Sequence, residues 1–163
     1  MNEDRGLEKA QGLDERIKER IANLTHYATT VHRIIIGEFG GAKGMRDRSA
    51  LESAIAAPFA TFAGEHLHLT VFDRAAALMR SISLNHPFND GNKRSSLVVT
   101  ATFLFEHGIG FKDEVSDDQM VDFSISVAEG KLHVKDIARW LEDNTNGASA
   151  RSFRQVMEQL ASN

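Results

Sequence analysis

The sequence predicts an all-α protein, and three observations carry that expectation. Only two prolines, Pro58 and Pro87, interrupt 163 residues. Strand-like alternation of polar and apolar residues is almost absent. Two central stretches, Val71–Leu84 and Leu97–Phe105, are apolar on nearly every face, as helices inside a bundle are.

The elements follow in order. Residues 1–24 are charge-rich, with helical spacing from Leu13 through Ile17, Ile21 and Leu24, and read as a helical extension. A core domain over 25–144 then begins with a helix that Thr25 caps and that Gly40-Gly41 end, since glycine accepts the left-handed conformation needed after a helix. Asp47 caps the next, with Leu51, Ala54 and Ile55 on one face. From Glu65 to Thr70 polar and apolar residues alternate, the pattern of a short strand or hairpin. The first buried helix carries Phe72, Ala75, Ala76, Leu78, Met79 and Ile82, and the second carries Leu97, Val98, Val99, Phe103 and Leu104, ending near Gly108. Ser116 caps a helix through Met120, Phe123 and Val127, and another runs from about Val134 to Leu141. An Asn/Gly/Ser-containing linker at 143–149 leads into a C-terminal amphipathic helix, so that 145–163 forms a third segment. Its stripe of Phe153, Val156, Met157 and Leu160 either covers this domain's core or meets a partner.

Composition narrows the function classes. With 42% hydrophobic and 26% charged residues the chain is an ordinary globular protein, and its net charge of -4 argues against wholesale nucleic-acid binding. The absence of cysteine excludes disulfides, zinc ribbons and thiol nucleophiles. No apolar run approaches the ~20 residues that cross a bilayer, and the charged N-terminus lacks the apolar core of a signal peptide. The expectation is a cytoplasmic protein without membrane contact.

The polar loop between the two buried helices, His86-Pro87-Phe88-Asn89-Asp90-Gly91-Asn92-Lys93-Arg94, carries the chemistry. Pro87 biases His86 toward an extended backbone, which ends the preceding helix and frees the imidazole as a base that works near neutral pH. Phe88 anchors the loop and Gly91 lets it turn. The amides of Gly91, Asn92, Lys93 and Arg94 then stand at the start of the next helix, where free donors and the helix dipole attract an anion. Lys93 and Arg94 oppose that dipole at a cost of ~0.3–1 kcal/mol each, which a bound polyphosphate would offset. Asp90 supplies a carboxylate beside it, suited to Mg²⁺. Taken singly, Asp90 reads as a helix cap, His86 as a packing residue, and Lys93 and Arg94 as a solvated face.

This loop resembles the signature of the Fic/Doc family, with the ending found in death-on-curing (Doc) toxins. The resemblance extends to Phe39-Gly40-Gly41 and Gly44-Met45-Arg46-Asp47, to the helix at 50–57 and to the segment through Gly108. It implies a Fic-like helical bundle with a short β-hairpin flap. It also implies that His86 deprotonates a target hydroxyl, that Asp90 helps hold Mg²⁺ on ATP or another nucleoside triphosphate, and that Gly91, Asn92, Lys93 and Arg94 handle phosphates. Lys93 stands where AMP-transferring Fic enzymes have glycine, and Leu97 where they have a second arginine. Both departures match Doc toxins, which turn the nucleotide around and transfer its terminal phosphoryl, the family substrate being elongation factor Tu. Gly91 instead follows the AMP transferases. Phosphoryl transfer to a Ser/Thr hydroxyl, with arrest of translation, is thus expected over AMP transfer or a silent binding module.

The flap falls on the segment containing Glu65, His66, Leu67 and His68, which would align a target by adding it as a strand, or be a plain surface connection. His66 and His68 lack a third ligand nearby in sequence and do not read as a zinc site. Inhibitory helices of the family place Ser or Thr four residues before Glu-Gly, but Ile125 precedes Glu129-Gly130. An internal inhibitor is therefore not expected, and a separate antitoxin protein is.

Overall fold

The computed structural model describes residues 2–146, with side chains from Asp14 onward. Six helices and four two-residue strands follow in the order α1 (Asn2–Phe39), α2 (Arg48–Ala56), β1 (Thr61–Phe62), β2 (Glu65–His66), α3 (Val71–Asn85), α4 (Asn92–Glu106), β3 (Gly110–Phe111), α5 (Asp117–Ala128), α6 (Val134–Asp143) and β4 (Thr145–Asn146). The Fic-like all-helical expectation holds.

The local signals that start most of these helices are side-chain caps. Asp47 accepts from the Ala50 amide at 3.0 Å. Thr70 and Asp73 form a reciprocal capping box for α3, and Ser116 and Gln119 one for α5. Thr25 is a correction. No helix starts there, and α1 runs unbroken through the boundary expected at 24/25. The Thr25 hydroxyl donates 2.8 Å back to the Ile21 carbonyl, which satisfies it inside a helix. Across that point a buried stripe, Leu24, Ala28, Val31 and Ile35, gives α1 one continuous packing face.

Helix α3 is central, packed against α2, α4 and α6, while α1 lies across α4 and α2. The Tyr27 and Thr102 hydroxyls, 2.7 Å apart, tie α1 to α4. Buried Ser83 donates to Ser96 at 2.8 Å between α3 and α4, so this polar pair in the core is satisfied. Trp140 stacks on Phe123, with ring centres 3.7 Å apart, and docks α6 on α5.

β1 and β2 form the hairpin expected for the flap, with Thr61 opposite His66 and Phe62 opposite Glu65. Its two loop residues, Ala63 and Gly64, both have positive φ, the requirement of the tight turn that matches strand twist. β3 pairs with β4, so Thr145 and Asn146 belong to a small sheet rather than to the linker read from composition. The C-terminal helix with Phe153, Val156, Met157 and Leu160 lies outside the described residues.

Candidate active site

The site is the connection between α3 and α4, held from three directions. From the side of the loop following α1, the amides of Arg46 and Asp47 both donate to the Pro87 carbonyl, at 2.8 and 3.1 Å. The Asn89 amide donates to Gly44 at 3.1 Å and its carboxamide to the Lys43 carbonyl at 2.8 Å. From within, the Asn92 carboxamide brackets Phe88: Oδ1 accepts from the Phe88 amide at 3.0 Å and Nδ2 donates to its carbonyl at 2.9 Å. From α1, the His32 Nε2 lies 3.1 Å from the Asp90 carbonyl, and its ring stacks on Phe88 with centres 4.0 Å apart. Phe88 is 1% exposed, the anchor its position implied.

His86 ends α3 and its side chain is exposed. Its backbone is left-handed (φ 47, ψ 56), not extended as Pro87 suggested. Pro87 disfavours the right-handed helical region before it, which ends the helix. The pull on Pro87 from Arg46 and Asp47, with the Arg46 guanidinium donating 3.0 Å to the Asn85 carbonyl, accompanies the left-handed turn.

Asp90 does not cap α4. The capping position is Gly91, at φ 71, and no side chain caps the helix. The first-turn amides of Asn92, Lys93 and Arg94 therefore keep no internal partner. The Asp90 carboxylate turns back, accepting from the Gly91 amide at 2.6 Å and the Ala42 amide at 3.4 Å. These two amides, with the Arg94 and His32 charges assisting and desolvation opposing, hold its pKa below the ordinary carboxylate value. Gly41 makes room for this: a Cβ there would stand 2.5 Å from Asp90 Oδ2.

Arg94 lies over the Phe39 ring at 5.2 Å, and its buried Nη1 has no hydrogen-bond partner. A buried guanidinium N–H without an acceptor is costly, so an anion at this helix start fits the residues present. Lys93 is exposed beside it. Leu97, the position of the missing second arginine, is 2% exposed and part of the core.

A cleft of about 430 Å³ brings together His86, Asp90, Gly91, Asn92, Lys93 and Arg94. Its far wall is Ile125, Ala128 and Glu129 at the end of α5, with the Glu129 carboxylate paired to Lys131 at 2.6 Å. No flap residue lines it. Glu65 and His66 are exposed on β2, the Leu67 amide donates to the Ala60 carbonyl at 3.0 Å, and His68 is half-buried, with burial lowering its pKa. Sequence reasoning missed His32, Gly41, Ala42 and the α5 wall. No local pattern placed them at the site, although the Gly40-Gly41 pair was noticed as a helix stop, and Ile125 and Glu129 in the search for an inhibitory helix.

The model of the Fic/DOC family matches residues 20–104, just over half the chain. The chain belongs to the Fic/DOC family. It is 35% identical over 100 residues to Toxin Doc of Mycolicibacterium smegmatis, covering 61% of this chain and 77% of that protein. It is 29% identical over 108 residues to Protein kinase doc of Escherichia phage P1, covering 66% and 82% respectively. The family is one of protein-modifying transferases that act on nucleoside triphosphates, and the resemblance to its Doc branch is borne out. Among the described residues no helix is long and apolar enough to cross a membrane.

Proposed function

We propose that this protein is a Doc-type toxin that transfers the terminal phosphoryl group of Mg-ATP to a Ser/Thr hydroxyl of a protein target, with elongation factor Tu as the family's precedent, and so arrests translation. The observation that carries this reading is the uncapped, basic start of α4, which lines the same cleft as His86 and Asp90 and includes Arg94, whose buried Nη1 has no hydrogen-bond partner. Three backbone amides and two cations at one helix end suit a polyphosphate better than any neutral group.

The roles follow from position. His86 accepts the proton of the target hydroxyl. The hydroxyl oxygen then bonds to the γ-phosphorus as the bond to the β–γ bridging oxygen breaks, and ADP leaves. Lys93, Arg94 and the amides of Asn92 to Arg94 orient the phosphates and take up the charge of the transferring group. The Asn92 contribution is its backbone amide, because Phe88 engages both ends of its carboxamide. Asp90 would hold Mg²⁺, which supplies charge neutralisation on the phosphates. Ile125 and Ala128 offer an apolar wall to the rest of the nucleotide. The flap's edge and its exposed Phe62, Leu67 and Leu69 would receive the target segment. Activity belongs in the cytoplasm, with a separate antitoxin holding it in check.

Buried Leu97 favours phosphoryl over AMP transfer, since no second arginine reaches the cleft from that position to clamp outer phosphates. One observation keeps AMP transfer as the second reading: Gly91 matches the AMP transferases. ATP labelled on the α- or γ-phosphate, incubated with protein, Mg²⁺ and bacterial lysate, separates them, with His86→Ala as control. Protein-bound label from the γ position alone, absent in the variant, is expected. Label from the α position would replace this reading with AMP transfer, and no transfer from either would favour a silent binding module.

A further inference from the structure

We propose that His32 is a positioning residue for Asp90, so that α1, through one imidazole, sets the direction of the carboxylate that serves the active site. The proposal rests on the metal-binding reading of Asp90, but its geometry stands apart from it.

His32 is 5% exposed on the inner face of α1, beside Ala28, Val31, Ile35 and Ile36. An apolar side chain would suit that stripe better, because an imidazole loses hydration there, and burial indeed lowers its pKa. A buried polar group calls for a partner. The partner is the Asp90 carbonyl, 58 residues away in sequence and 3.1 Å from Nε2. A carbonyl only accepts, so Nε2 carries the proton. The ring is then locked in plane by Phe88, which it faces at 5°.

The consequence lies in the peptide unit that joins Asp90 to Gly91. In a trans peptide the C=O and N–H point in opposite directions across one rigid plane. His32 holds the C=O end toward α1, so the Gly91 N–H points away from α1. That N–H, at 2.6 Å, is the principal donor to the Asp90 carboxylate, the Ala42 amide being far longer at 3.4 Å. Turning this peptide plane would carry the carboxylate with it. The left-handed Gly91 gives the plane freedom to turn, since glycine tolerates many alternatives to φ 71. His32 removes that freedom from one side, and its Cδ2 would lie 3.8 Å from a Cβ at Gly91.

Two substitutions separate the tie from mere packing. His32→Phe keeps a flat ring against Phe88 and fills the volume but donates nothing. His32→Gln keeps a planar donor of similar reach. Folding of both is checked by thermal melting, and the Mg²⁺ concentration for half-maximal nucleotide binding and the transfer kcat are measured. Supporting groups behind a metal ligand typically matter by about 10–100-fold. We therefore expect the Phe variant to fold, need about 10-fold more Mg²⁺ and lose kcat, with Gln within about 3-fold of wild type. A Phe variant with wild-type Mg²⁺ requirement and kcat overturns the proposal. So does equal impairment of Phe and Gln in proportion to lost folded protein. The Gly91 amide proton resonance gives a readout independent of nucleotide: it should shift in the Phe variant and return toward wild type with Gln. If wild-type protein binds no Mg-nucleotide, the metal reading fails by itself, and an unchanged Gly91 resonance in the Phe variant refutes the tie.

Discussion

Asn92→Ala tests whether the loop or the phosphate is what the Asn92 carboxamide serves. In the structure that group makes two hydrogen bonds, 3.0 and 2.9 Å, to the amide and carbonyl of one residue, Phe88, whose side chain is 1% exposed. Truncation removes both and leaves a backbone donor and a backbone acceptor unpaired beside the core. Each unpaired buried group costs about 1–3 kcal/mol. Water reaching the loop from its exposed side recovers part of that, so a loss of about 2–4 kcal/mol is expected. For a domain of this size that is a fall in Tm of roughly 5–15 °C. Asn92→Asp gives no rescue, because a carboxylate accepts from the Phe88 amide but repels its carbonyl. The assay is a thermal melt of the three proteins without nucleotide, followed by calorimetric titration with Mg-ATP at a temperature where all are folded. An Asn92→Ala protein that melts like wild type yet has lost nucleotide affinity would refute the reasoning and make the side chain a direct phosphate ligand.

Four further outcomes are expected. His86→Ala abolishes transfer and leaves nucleotide affinity largely intact in the same titration; loss of both would make His86 structural. Gly41→Ala, whose Cβ would fall 2.5 Å from Asp90 Oδ2 at a φ of +121, displaces that carboxylate and raises the Mg²⁺ requirement, and an unchanged Mg²⁺ dependence argues against Asp90 as the ligand. The Asp90 pKa is lowered from 3.8, chiefly by the Gly91 and Ala42 amides, so its charge stabilises the fold above the ordinary carboxylate value, and that stability is lost as pH falls through the lowered one. Melts of wild type and Asp90→Asn should therefore differ at neutral pH, begin to approach each other near the ordinary carboxylate value and converge only below the lowered one; curves that stay parallel would contradict this. Leu67→Asp, on the exposed edge of the flap, raises KM for the protein target with no change in nucleotide affinity, and equal KM values would remove the flap from target binding.

What was legible in the sequence was what is local. Asp47 and Ser116 announce their helices because a cap acts within three residues. The motif is legible for a related reason: Lys93 and Arg94 at the positive end of a helix conflict with its dipole, and such a conflict signals a ligand before any contact is known. The Thr25 boundary failed because the same hydroxyl that caps a helix start can also bond back within a helix, and only the buried stripe from Leu24 to Ile35 decides between them. The extended backbone expected at His86 failed in a parallel way. Pro87 removes one backbone region and leaves others open, and bonds to residues 46 and 47, some forty positions upstream, accompany the left-handed form.

The parts that aim the motif leave no periodic trace at all. His32 reaches Asp90 across 58 residues and Ala42 reaches it across 48, while Ile125 and Glu129 arrive from the far side of the cleft. Read along α1, His32 is one polar residue at the edge of an apolar stripe, the commonest kind of imperfection. It gains meaning only when α1 is laid against the loop between α3 and α4. The motif thus supplies the groups proposed to touch a nucleotide, while the peptide that joins Asp90 to Gly91 is also held from α1, a helix that the motif does not contain. On the proposal made for His32, this loop with all nine residues intact would still handle Mg²⁺ poorly if α1 carried an apolar residue at position 32.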